Sequence, residues 1–200
     1  MGIIIDHDAR KSAIIQRSIQ LFAEQGYNGV TFQKIADNCG IARTTLYTYF
    51  KNKRQIFNYA IWETSNILIE KYDAILEKDE PAEVKLKNIM GAVLQLLFDQ
   101  RLMLTVILDY VLAAQRAGHN IEKNIAKHTI ALRRIIQGLV VGGMRSGELK
   151  KMSASLATDL IYAQMETAIL RLTISRNANM SQLTRMLHTT IENLRNPVEL

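Results

Sequence analysis

Apolar positions along the chain recur at helical rather than strand intervals. Ile14, Ile15, Ile19, Leu21 and Phe22 repeat on a period near 3.6, and Gly26 follows where a helix C-terminal cap is expected. Thr31 stands as an N-cap for a short helix over 32–38, and Gly40 fits a tight connection to a second short helix over 42–49. A longer helix is predicted over 52–78. Pro81 suits the first turn of a helix running to 98, because its missing N–H needs no partner there. The next helices are predicted over 102–117, stopped by Gly118, and over 121–145, with Ile135 and Leu139 along it and a frayed end at Gly142, Gly143 and Gly147. A final pair, 153–175 and 181–195, is joined by the polar Asn177, Ala178 and Asn179. Neither an alternating strand pattern nor an internal repeat is evident. The fold class is all-α, with nine or ten helices.

Composition agrees with a globular chain: 200 residues, 48% apolar and 22% charged, with two prolines. The single cysteine, Cys39, excludes an internal disulfide framework and a cysteine zinc cluster, and fits a reducing cytoplasm. The longest run without a charged side chain covers eleven residues, 88–98, against about 20 for a spanning helix, so no membrane partner is expected. The apolar run Gly2 to Ile5 is cut off by Asp6, His7 and Asp8, too short for a signal-peptide core.

Charge then divides the chain. Of the net +6, residues 1–56 carry eight basic against four acidic side chains, and 57–200 carry seventeen against fifteen. Arg43, Lys51, Lys53 and Arg54 stand in a stretch without an acid from 38 to 62, which points to an acidic partner, nucleic acid above all. The expected domains are therefore 1–56, basic, whether for an acidic partner or only for solubility, and 57–200, nearly neutral and helical.

A helix-turn-helix needs a small residue where its helices cross, a glycine at the turn and apolar ties between the two. Ala36, Gly40, and the set Ile35, Ile41 and Leu46 supply these at workable spacing, placing the motif at about 31–50. The second helix reads Ala-Arg-Thr-Thr-Leu-Tyr-Thr-Tyr from Ala42, with hydroxyls and one guanidinium for base edges and phosphates. Arg43 reaches toward a guanine; Tyr47 and Tyr49 offer an apolar body with a phenolic tip, although packing alone would also account for Tyr47.

The runs Leu21-Phe-Ala-Glu-Gln-Gly-Tyr27, Thr31-Phe-Gln-Lys-Ile-Ala-Asp37 and Cys39-Gly-Ile-Ala-Arg-Thr-Thr-Leu-Tyr-Thr-Tyr-Phe-Lys-Asn-Lys53 resemble the DNA-binding domain of the TetR family of bacterial transcriptional regulators, over about residues 9–57. The resemblance implies a homodimer on a pseudo-palindromic double-stranded operator, usually a repressor released by a small-molecule inducer. It implies a phosphate contact for Thr31 and for Lys53, and places Arg43, Thr44, Thr45, Tyr47 and Tyr49 against DNA, with Phe22 and Phe50 in the small core. Gln33, Lys34, Thr48 and Lys51 complete the candidate DNA-binding set. One departure is Ala42, where the family often has a capping serine, a difference of roughly 1 kcal/mol.

In the back segment, Leu183, Met186, Leu187, Ile191 and Leu194 form one stripe, and Leu156, Leu160 and Ala163 lie on the preceding helix. Either the pair closes its own core or, as the resemblance implies, it forms a four-helix dimer interface. Such a two-fold dimer would hold its reading helices one DNA turn apart, roughly 34 Å. Helices 82–98 and 102–117 are apolar on more than one face. Plain core explains that; the resemblance adds that some positions line an inducer pocket, for which Asn88, Met90, Leu94, Phe98, Met103, Ile107, Tyr110, Tyr162 and Glu166 are the candidates, with Gln95 and Gln115 as further polar handles. The expected ligand is small and mostly apolar, and coupling would run through helix 52–78.

No enzyme, metal site or cofactor is expected: His7, His119, His128 and His188 are scattered, there is no phosphate-binding glycine loop, and Asp99 and Asp109 lack a catalytic constellation. Cys39 reads as a small apolar residue, with a redox sensor as the alternative. The competing functional class is a DNA-binding dimer that senses nothing.

Overall fold

The computed structural model describes residues 7–118, 122–175 and 177–197, with backbone alone over 122–129. The Gly2 to Ile5 run, His119 and the His128 side chain lie outside the described residues. Among those described, the chain forms nine helices and no strand: α1 (His7–Gln25), α2 (Phe32–Cys39), α3 (Arg43–Tyr49), α4 (Lys53–Leu76), α5 (Ala82–Asp99), α6 (Arg101–Arg116), α7 (Glu122–Ser146), α8 (Ala154–Ile174) and α9 (Met180–Glu192). No single described helix is long and apolar enough to cross a membrane.

Packing groups these helices into two compact units along lines that chain order does not follow. One comprises residues 1–66 together with 102–121; the other comprises 67–101 and 122–200. The cut at residue 56 expected from charge therefore differs from the grouping by packing, which adds the start of α4 and all but the first residue of α6 to the basic front segment.

In the first unit α1 buries Ile14, Ile15, Ile19, Leu21 and Phe22 against Ile35 and Ala36 of α2, Leu46 of α3, and Ile56, Phe57 and Ala60 of α4. Met103 and Val106 of α6 enter the same core. Removing these side chains from water, at about 25 cal/mol per Å² of apolar surface, is what holds short helices that would be marginal alone. Among the described residues Ser18 is the one polar residue fully buried in this unit, and its hydroxyl donates to the Ile14 carbonyl at 2.7 Å.

In the second unit α5 lies against α7, α8 and α9. Its Leu86, Ile89, Met90, Val93 and Leu94 pack in a core with Ile136 and Val140 of α7, Ile161 and Met165 of α8, and Leu183, Leu187 and Ile191 of α9. Pro81 is the N-cap of α5 and brings no side-chain acceptor; Glu148 does it instead, its Oε2 accepting the Ala82 N–H at 2.6 Å. The end of α7 is not frayed. The helix runs through Gly143, where an added Cβ would stand 2.8 Å from the Leu149 side chain and 2.9 Å from Ala82, so the glycine permits close packing. A Cβ at Gly91 or Gly138 would meet nothing within 4 Å, so neither glycine marks a close helix crossing.

Candidate nucleic-acid interface

The reader is built from two short helices whose ends are fixed by local chemistry. The Thr31 hydroxyl accepts the Lys34 N–H at 3.1 Å, capping α2. Gly40 takes a φ of 66°, a left-handed conformation that costs glycine little, and the Ile41 N–H returns to the Ala36 carbonyl at 3.1 Å. Ala42 precedes α3 without a side-chain cap, as its residue type dictates. Ile35, Ala36 and Leu46 are wholly buried. Burial of Leu46 leaves Arg43, Thr44, Tyr47 and Thr48 on the outward face of α3, flanked by half-buried Thr45 and Tyr49.

On that outward face Arg43, Thr44 and Thr48 are exposed, Thr45 and Tyr49 half-buried, and Tyr47 retains 49% of its surface. Arg43 Nη2 donates to the Tyr47 hydroxyl at 3.2 Å, and the guanidinium lies 5.6 Å from the tyrosine ring centre. Tyr47 in turn packs on Phe32 of α2, with ring centres 4.9 Å apart. Thr48 turns its hydroxyl back to the Thr45 carbonyl at 2.7 Å. Tyr49 stacks on His7 of α1 at 4.5 Å. Neither Phe32 nor His7 was among the expected site residues; Phe32 sits on the apolar period of α2, whereas nothing near His7 signals the stack.

The cations divide. Lys51 is exposed, and its backbone N–H is taken by Gln55 Oε1 at 2.6 Å. Lys34 donates to Gln25 Oε1 at 2.9 Å and to the Gly29 carbonyl at 3.1 Å, and Gln33 donates to Asp37 at 2.7 Å. Lys53, which the resemblance placed on a phosphate, is turned inward: its ammonium donates to the carbonyls of Tyr27 and Val30, each at 2.8 Å, and sits 4.5 Å from the Tyr27 ring centre. Partial burial lowers its pKa from the ordinary lysine value. Cys39 is half-buried beside this core, and burial raises its thiol pKa against the opposing pull of Arg17.

The candidate pocket residues fall into both units. Met90 and Leu94 are fully buried in the α5 core and Phe98 is half-buried. Met103, Ile107 and Tyr110 pack with the reader. Asn88 is exposed and donates to Glu80 at 3.2 Å; Gln95 donates to Asp99 at 2.8 Å; Tyr162 is half-buried and Glu166 exposed.

The expected dimer stripe separates into two groups. Leu183, Leu187, Ile191 and Leu194 of the α9 segment are at most 5% exposed and pack in the chain's own core, while Met186 is half-buried. Their periodicity was real, but α5 supplies the surface it packs on. On α8, Leu156, Leu160 and Ala163 are exposed.

Residues 14–60 match the family described as bacterial regulatory proteins, tetR family. The chain is 26% identical over 158 residues to a fatty acid metabolism regulator protein of Bacillus subtilis, covering 78% of this chain and 79% of that protein. Among solved structures it resembles a fatty acid degradation regulator from Bacillus halodurans, with a TM-score of 0.76 at 20% identity over 94% of this chain and 97% of the other. A ketosteroid transcriptional regulator of Mycobacterium tuberculosis gives a TM-score of 0.75 at 16% identity over 94% and 96%.

Proposed function

We propose that this chain, which matches the tetR family of bacterial regulatory proteins over residues 14–60, is a homodimeric repressor binding a pseudo-palindromic operator through α3. It is a transcriptional regulator of that type. The observation that carries the DNA reading is the outward face of α3, where Arg43, Thr44, Tyr47 and Thr48 stand over a wholly buried Leu46. Arg43, at the first residue of the helix, supplies two parallel donors for the O6 and N7 acceptors of guanine. Thr44, Tyr47 and Lys51 supply phosphate contacts, which fix register without reading sequence.

The proposed dimer surface is the exposed stripe of α8. Exposed Leu156, Leu160, Ala163, Leu170 and Ile174, with half-buried Thr167 between Ala163 and Leu170, follow one another at steps of four and three, the spacing of a paired-helix seam. A two-fold axis beside this seam would duplicate the reader and match a palindromic site.

The proposed effector is a mostly apolar small molecule. The fatty acid metabolism regulator protein of Bacillus subtilis among the relatives supports a lipid class, fatty acids first. The test selects duplexes from a randomised library on the full chain, then measures release by a panel of fatty acids and steroids. A selected inverted repeat protected on both halves supports the DNA reading, and selection of no sequence overturns it. Retention on the operator across the whole panel would favour a dimer that senses nothing.

A further inference from the structure

We infer that Asp109, on α6, is a positioning residue for DNA recognition, holding the turn that carries the chain from α1 into the reading helices. The inference rests on α3 being the DNA-contacting helix. Asp109 Oδ2 accepts the Tyr27 backbone N–H at 3.0 Å, across 82 residues of sequence. Tyr27 follows Gly26, whose φ of 72° ends α1 in the left-handed region, and a Cβ on that glycine would lie 3.4 Å from the same carboxylate oxygen. The turn therefore reverses the chain directly beneath the Asp109 side chain.

The carbonyl and the ring of Tyr27 are also held. Its carbonyl accepts from Lys53 Nζ at 2.8 Å, and the same ammonium reaches the Val30 carbonyl at 2.8 Å, one residue before the α2 cap at Thr31. Its ring packs on Phe22 of α1, Phe57 of α4 and Tyr110 of α6, at 5.1, 5.2 and 4.9 Å between centres. Tyr110 also meets Phe57 at 5.0 Å, so α6 supplies both a hydrogen bond and a ring to one node. Tyr27 is buried whereas Asp109 is exposed, so the bond is part-buried; a carboxylate is nevertheless a stronger acceptor than a neutral group, and its loss leaves the amide without its side-chain partner. A released Tyr27 would let the turn, and with it α2 and α3, shift against α1. Recognition of base edges tolerates little of that: donors on Arg43 must meet acceptors within hydrogen-bond distance, whereas phosphate contacts adapt.

The test compares the full-length wild type with Asp109→Ala and Asp109→Asn. Both variants lose the same negative charge, so any general gain in DNA affinity appears in both; only the asparagine keeps an oxygen acceptor for the Tyr27 N–H. Affinity is measured for a duplex selected by the wild type and for a scrambled duplex of equal length, at one salt concentration. The ratio of the two affinities is expected to fall about tenfold in Asp109→Ala and to stay within about threefold of wild type in Asp109→Asn. Equal ratios in all three proteins, or an equal loss in both variants, would overturn the inference. Hydrogen–deuterium exchange at the Tyr27 amide gives a readout independent of DNA. Protection is expected in the wild type and in Asp109→Asn, and about tenfold faster exchange in Asp109→Ala; a wild-type amide exchanging as a free one overturns the clamp with no variant needed. A wild type that selects no sequence while protecting this amide would sink the DNA reading instead.

Discussion

Arg43 and Tyr47 lie one turn apart on α3, and the guanidinium donates to the phenolic oxygen at 3.2 Å. On the proposed DNA reading, that contact would hold a long side chain in one rotamer before DNA arrives and so lower the ordering cost of reading a base. Because the Tyr47 ring is itself braced by Phe32 at 4.9 Å, the arrangement is anchored in α2. Arg43→Ala is expected to remove preference for one base pair per half-site, worth about 1–3 kcal/mol of discrimination. Tyr47→Phe keeps the ring and loses the acceptor, and is expected to give a partial relaxation at the same base pair. Competition binding with single-base operator variants checks both.

Lys51 and Lys53 are two residues apart and face different tasks. Lys53→Met strips two carbonyls, those of Tyr27 and Val30, of their ammonium partner. A stability loss of about 1–3 kcal/mol is expected in urea titration. Lys51→Ala, at an exposed position, is expected to leave stability unchanged and to lower the slope of log affinity against log salt by about 1. Salt titration of both variants separates them: a lowered slope for Lys53→Met would place that ammonium on DNA after all.

The α8 stripe leaves Leu160 and Leu170 at 43% and 56% exposure, while Leu187 on α9 is 2% exposed. Leu160→Glu with Leu170→Glu is expected to convert a dimer to a folded monomer in sedimentation and to weaken operator binding. Leu187→Ala is expected to cost about 2–5 kcal/mol of stability, as other buried leucine truncations do. A dimer unaffected by the double glutamate variant would exclude this face as the interface.

Glu148 caps a helix it does not belong to. Its Oε2 takes the Ala82 N–H at 2.6 Å, and its Oε1 accepts from the Ser146 hydroxyl at 3.0 Å. Glu148→Ala is expected to destabilise the chain by about 1 kcal/mol, the usual worth of an N-cap, which thermal or urea melts would read.

Local patterns in the sequence determined the helices and the reader. A 3.6 period, a capping threonine, a glycine at a left-handed turn and a proline at a helix start act over a few residues, so helix bounds predicted from them fall close to those observed. The concentration of positive charge before residue 56 was likewise legible in the sequence, and it falls largely within the stretch that matches the family. Only tertiary structure decided where amphipathic faces go. Leu183, Leu187 and Ile191 carry the same periodicity whether they meet a partner or α5, because a hydrophobic stripe records that a surface is buried and not what buries it. The same holds for Lys53, whose charge in the sequence does not say whether it meets a phosphate or two carbonyls of its own chain. Asp109 was beyond local reading altogether, since its partner lies 82 residues away and the contact exists only once α6 has packed on the reader.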